Sequence, residues 1–181
     1  MAVVPTPAHA YDAPPQVAEV LTLHRAEPEP PARGGGTEMD LQIAADWDLW
    51  SEQIGRALLP ILRRLLTTTP TVTSAMIGTA DGFNLCALGL DEGDVSRVSA
   101  MTSSLLSMAD AVTDVVDKGE DHPLDLVSLN HGTHVTVVRA VRHLIIGQLL
   151  IWVTGDATQR SSIESAARDV ANAVWMLLAD D

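Results

Sequence analysis

The sequence predicts an α+β domain whose elements run α-β-β-α-β-β-β-α, and three observations carry that expectation. An Asp-Gly pair at Asp81-Gly82 sits between strand-like apolar residues, three segments step their apolar residues by three and four, and three β-branched runs follow one another near the C-terminus. A chain of 181 residues with 46% hydrophobic content has room for one ordinary domain and a tail, not for two full domains.

The first helix begins near Asp46. Trp50, Ile54, Leu58, Ile61 and Leu65 make one face through Leu66, and Thr67-Thr68-Thr69-Pro70 stops it. Pro60 falls inside and removes a backbone donor, so a single kinked helix is expected. A hairpin follows, because Asp-Gly suits the positive φ values of a two-residue type I′ loop and Met76, Ile77, Phe83, Leu85 and Leu88 flank it. The second helix should run from about Val95 to Asp117, since Asp91 or Asp94 can cap its start and Lys118-Gly119 offers a cation and an αL residue at its end. One apolar row on it reads Val95, Val98, Thr102, Leu105, Ala109, Val112, Val116, and a second reads Met101, Leu105, Met108, Val112, Val115. A helix that only covers its own sheet needs about 100° of apolar arc, so the doubled stripe leaves surplus surface for a second body.

Three strands are expected next, Leu124 to Leu129, Thr133 to Val141 and Leu144 to Val153, with turns at Asn130-His131-Gly132 and Arg142-His143. The last helix runs from about Ala157 to Leu178. Asp156 and Gln159 have capping-box spacing, and Ile163, Ala167, Val170, Val174 and Leu177 face inward. The domain thus spans residues 46–179. Residues 1–40 read as a disordered, acidic tail, because seven of the ten prolines and Gly34-Gly35-Gly36 lie there. Within the tail, Gln16 to Arg25 places Val17, Val20, Leu21 and His24 at helical spacing, which suits either a segment that folds on a further protein partner or a chance apolar cluster.

Composition narrows the partners. The formal charge is −13, from 11 basic and 24 acidic residues, and Lys118 is the only lysine. No basic patch with interleaved aromatics occurs, so nucleic acid is not expected to bind and anionic lipid would be repelled. The single cysteine, Cys86, fits a small buried side chain in a reducing compartment. The N-terminal stretch lacks a basic n-region and its apolar run stops at Pro5, so no secretory signal is expected. The longest apolar run, Leu144 to Val153, is about half of what a membrane span needs, which argues against membrane insertion. These features together predict a cytoplasmic protein.

The patterns GxxxxGK[ST], GxSxG, HExxH, CxxC and GxGxxG are absent. His131 and His134 straddle a turn with no third ligand at an obvious spacing, so no metal site is expected. Asp110, Asp114 and Asp117 form an acidic row beside Ser96, Ser99, Ser103 and Ser107. That row is either a solvated face or a docking edge of Ser103, Ser107, Asp110 and Asp114 for a basic partner. Nothing assembles a nucleophile with a base, so neither catalysis nor a cofactor is expected.

The element order, the stretch MIGTADGFNLCALG, the serine-rich second helix and the run ending LIIGQLLIWVTGD resemble the Roadblock/dynein light chain family in its bacterial form, over about residues 47–179. The resemblance implies a five-stranded antiparallel sheet of the profilin-like kind, with the two terminal helices on one face and the middle helix on the other. It also implies a homodimer in which two middle helices and two third strands meet across a two-fold axis. On this chain that interface would hold Met101, Leu105, Met108, Val112, Val115, Leu126 and Ser128. Bacterial members work with Ras-like small GTPases, so the implied function is a non-enzymatic regulator or scaffold of such a GTPase. It would bind the GTP form and bias the switch loops. The 40-residue tail and the Trp47/Trp50 start depart from the family pattern. Two other readings stay open. One is an interaction scaffold without a GTPase, with its specificity in the tail. The other is a ligand-sensing domain, for which Asn84, Gln148 and Thr136 are the mid-strand polar candidates.

Overall fold

A computed structural model describes residues 45–116 and 125–179. The elements are α1 (Trp47–Thr68), β1 (Val72–Thr79), β2 (Asn84–Leu88), α2 (Glu92–Val116), β3 (Leu126–His131), β4 (His134–His143), β5 (Gly147–Asp156) and α3 (Arg160–Ala179), the last preceded by a 3-10 turn at Ala157–Gln159. This is the expected order. The tail with its 16–25 segment, the helix stop at Asp117-Lys118-Gly119 and the expected strand start at Leu124 lie outside the described residues.

All five strands pair antiparallel in one sheet, ordered β2-β1-β5-β4-β3. Alternation along the strands sorts side chains onto two faces. Ala75, Ile77, Val135, Val137, Leu149, Ile151 and Val153 point to the face covered by α1 and α3, whose Leu58, Leu62, Ile163, Ala167 and Val174 complete the main core. Met76, Val138 and Leu150 are equally buried but stand outside that cluster, on the α2 side. The terminal helices thus share one face and the middle helix takes the other.

Several local details differ from the sequence expectation. α1 runs unbroken through Pro60, which is exposed, so its missing donor costs a bond on the solvent side. At Gly55 the helix lies directly on β2, where a Cβ would collide with the Leu85 carbonyl oxygen. Leu85 itself is a bulge: Cys86 pairs with Ile77 and Asn84 with Gly78, leaving it no opposite residue.

The first hairpin loop has three residues, not two. Gly82 N–H donates to Thr79 C=O at 3.0 Å, Thr79 N–H donates to Phe83 C=O at 2.8 Å, and Gly82 takes φ 87°. That is the three-residue solution, a turn followed by a left-handed glycine, so the Asp-Gly pair supplies only its second half. Phe83 falls outside β2 and meets Trp47, with ring centroids 5.7 Å apart. The other turns also shift. β3 continues through His131 to a two-residue loop, Gly132-Thr133, and the β4–β5 turn is Leu144-Ile145-Ile146. His143 stabilises that second turn: its Nδ1 accepts from Ile145 N–H at 3.3 Å and Ile146 N–H at 3.2 Å. β5 therefore starts at Gly147 (φ 84°) and not at Leu144, because the apolar run LII is a loop tip.

α2 begins three residues before Val95, and Asp91 C=O accepts from Asp94 N–H at 2.9 Å and from Val95 N–H at 3.3 Å. At the start of the C-terminal helix, Asp156 accepts from both the N–H and the hydroxyl of Thr158, at 2.8 Å each, in place of a capping box with Gln159. Its inward row is Ile163, Ala166, Ala167, Val170, Ala171 and Val174, while Leu177 is exposed.

Candidate interaction surface

α2 has three sectors around its axis. Ser99, Thr102 and Leu106 are buried against the sheet, with Val95 and Ala109 half-buried beside them. Small polar side chains sit here because the helix lies close. Thr102 Oγ1 satisfies itself on Val98 C=O at 2.7 Å, and Gly78 lies under Ser99, whose Oγ would be 3.2 Å from a Cβ added there. The expected core row is therefore rotated. Leu106, in neither apolar row, is the large side chain that anchors this helix, whereas Leu105 is half-buried and Val112 and Val116 are exposed.

The polar edge faces the first hairpin. Ser103 Oγ donates to Ala80 C=O, and Ser107 Oγ donates back to Ser103 C=O at 3.1 Å. Two of the four residues expected to dock a partner thus hold the helix and its neighbouring loop. Asp110 is exposed further along this edge, and the side chain of Asp114 lies outside the described residues.

The opposite edge is apolar and open. Val98, Met101, Leu105 and Met108 form one wall of a groove of about 560 Å³, and Leu129, His131, Thr136 and Trp152 form the other. Met101 and Met108 are 67% and 68% exposed, and Val112 and Val115 continue the exposed edge. Large apolar side chains rarely stay this exposed over several helical turns unless something covers them.

β3 borders the groove as the outer strand of the sheet, hydrogen-bonded among the described residues to β4 alone. Its side chains alternate. Leu126 packs toward the α1/α3 core and Ser128 shares that face, while Leu129 and His131 line the groove. The structure therefore brings Met101, Leu105 and Met108 together with Leu129 and His131, while the side chains of Leu126 and Ser128 face the other side of the sheet. Trp152 and Leu129 escaped the sequence reading. Trp152 does so because it sits in a continuous apolar strand where neither face is marked.

The groove floor carries a short polar chain. Thr136 Oγ1 and Thr154 Oγ1 are 2.6 Å apart, and His131 Nε2 is 3.1 Å from Thr136 Oγ1. His131 also stacks on His134, with centroids 5.8 Å apart and an interplanar angle of 13°. Among the described residues no group of three or more His, Cys, Asp or Glu could hold a metal ion, and no helix is long and apolar enough to cross a membrane. Of the three mid-strand polar candidates, only Thr136 reaches the groove. Cys86 is buried, and burial pushes its thiol up to about 12, against a smaller lowering by a backbone hydrogen bond at Ile77.

The family model of the Roadblock/LC7 domain matches residues 60–147. A Roadblock/LC7 domain from Streptomyces avermitilis has a similar structure, with a TM-score of 0.57 at 17% identity over 66% of this chain and 95% of that one. The gliding protein MglB of Thermus thermophilus gives 0.59 at 10% identity over 71% and 93%. MglB of Myxococcus xanthus gives 0.53 at 10% over 68% and 91%. At such identities the likeness is one of fold. No curated protein is similar in sequence.

Proposed function

We propose that this chain, which carries a Roadblock/LC7 domain, is a homodimeric, non-catalytic regulator or scaffold of a Ras-like small GTPase in the bacterial cytoplasm. One observation supports it above the others: the apolar Met101-Leu105-Met108 edge, with both methionines exposed, lies beside the outer edge of strand β3, which no described strand pairs. A second copy related by a two-fold axis answers both needs at once, since it covers the apolar edge with its own and adds its β3 to the open strand. In this reading Val112 and Val115 extend the seam along α2, while Leu126 and Ser128 meet it through their backbone.

The dimer acts on the GTPase without donating a catalytic group. It binds the GTP form more tightly than the GDP form, and only that difference lets it bias the partner's switch loops. The similarity to the bacterial gliding proteins MglB adds to the reading at the level of fold.

The test has two parts. Met101→Glu with Met108→Glu places two charges per protomer in the seam, and light scattering should then report a folded monomer. A variant that stays dimeric moves the interface elsewhere. Pull-down from the native cytoplasm should recover a small GTPase whose hydrolysis or exchange rate changes on adding the protein. Recovery of none, or an unchanged rate, leaves the interaction scaffold as the better reading.

A further inference from the structure

The exposed apolar side chains do not all belong to the groove. Trp50, Phe83, Leu144, Ile145, Trp175 and Met176 are also exposed, Leu144 by 89%, and they come from four separate elements or turns. Three contacts bring the parts of the chain that carry them to one end of the domain. Ala80 N–H donates to Gln148 C=O at 2.9 Å, which sets the β1–β2 loop beside the start of β5 and hence beside the β4–β5 turn. Trp47 against Phe83 fixes the start of α1 at that loop. His143 Nε2, 3.1 Å from Leu178 C=O, ties the last turn of α3 to the β4–β5 turn.

Trp50, Trp175 and Met176 stand on α1 and α3, which cover the other face of the sheet from α2; Ser103 of α2 reaches the β1–β2 loop at Ala80 C=O, but none of the six residues lines the α2 groove, so a dimer closing that groove does not use them. With aromatic side chains of about 150–250 Å² each, the exposed parts of these six amount to roughly 750 Å². One partner contributes about 800 Å² to a standard interface, so the patch is large enough for a specific contact.

Charge and backbone chemistry select the occupant. Asp46, Asp48 and Asp81 stand exposed at this end with no ion pair among the described residues, against one exposed basic side chain on the nearby turns, Arg142. A second copy would bring the same carboxylates face to face, which disfavours self-association here. The end is built of turns and helix termini, offering no free strand to extend, so an occupant must satisfy its own backbone, as a helix does. We infer that this end docks an amphipathic helix of another protein whose apolar face is flanked by Lys or Arg.

The probe is a fluorescein-labelled, 18-residue Leu/Lys amphipathic peptide, titrated with the full chain and followed by anisotropy. Wild-type protein should bind it, and Leu144→Ser with Trp175→Ala should weaken binding at least tenfold while circular dichroism stays native. Leu144→Ser alone, at the most exposed tip, should weaken it measurably if the double variant folds poorly. Asp46→Asn, Asp48→Asn and Asp81→Asn together should weaken it and flatten its salt dependence, whereas Met101→Glu with Met108→Glu should bind as wild type does. The inference is overturned if the peptide does not bind, if the Leu144/Trp175 variant binds equally, or if a Leu/Glu peptide binds as well. Concentration-dependent self-association that Leu144→Ser abolishes would also overturn it, in favour of a second copy.

Discussion

Leu106 and Met108 lie two residues apart on α2, yet truncating them should damage different things. Leu106 is buried to 3% exposure as the anchor of the helix on the sheet, so Leu106→Ala removes three carbons' worth of packing and leaves a cavity. Such changes cost about 2–5 kcal/mol of fold stability. Met108 keeps 68% of its surface in water, so Met108→Ala should change the stability of the protomer by less than about 0.5 kcal/mol. In a two-fold dimer that exposed two-thirds is covered twice. Full burial of a Met side chain is worth about 1.5–3 kcal/mol, so the exposed part gives roughly 1–2 kcal/mol per copy. The dimer then loses about 2–4 kcal/mol, or roughly 30- to 1,000-fold in Kd. Urea denaturation at a protein concentration where both variants are monomeric reads the first quantity, and sedimentation equilibrium reads the second. If Leu106→Ala proves as mild as Met108→Ala in denaturant, the packing sector of α2 is misassigned. If Met108→Ala leaves the dimer Kd unchanged, the groove is not the seam.

Gly55→Ala should destabilise the fold by about 1–3 kcal/mol in chemical denaturation, although the same change in an exposed helix gains about 1 kcal/mol, because the new Cβ meets the Leu85 carbonyl. A stabilised variant would mean that α1 does not lie on β2 as described. Asp156 is held below the ordinary carboxylate range by the Thr158 backbone N–H and then by the Thr158 hydroxyl. Its folded pKa is depressed, so its contribution is present above the unfolded pKa and fades as pH falls through the folded one. The stability gap between wild type and Asp156→Ala should therefore be open at neutral pH and close in acid below the usual carboxylate range; a gap that widens in acid refutes the cap. Cys86, with its thiol raised to about 12, should resist iodoacetamide at pH 8 in the native state and react only as fast as the protein opens. Rapid stoichiometric labelling of folded protein would contradict its burial.

The element order was legible because each element leaves its period in the chain, and periods survive local error. Loop lengths did not survive as well. Asp81-Gly82 advertises a two-residue loop, but the third loop residue, Ala80, carries no turn signal of its own. Similarly, Leu144, Ile145 and Ile146 read as strand because apolar residues score alike in a strand and at a loop tip. The helix wheel of α2 was misread for a related reason. Ser99 reads as part of the polar edge, yet its small size is what lets the helix approach the sheet, and Leu106, the large side chain that anchors the helix, falls in neither apolar row. The surplus surface itself was foreseeable from the doubled stripe; its far wall at Leu129 and Trp152 was not, since it is assembled across the sheet by register. The apolar end is harder still, since its residues are scattered from Trp50 to Met176 and meet only in three dimensions.

The two edges of the sheet are unlike, and that limits how far assembly can grow. β2 is five residues long, bulged at Leu85 and pressed by α1 at Gly55, so it offers poor terms to an incoming strand. β3 is six residues long, its register with β4 is unbroken, and among the described residues no strand pairs with its outer side. A building block sealed on one margin and open on the other adds a neighbour once. If two copies join through β3, both open margins are consumed, and no free edge is left from which a fibre could elongate.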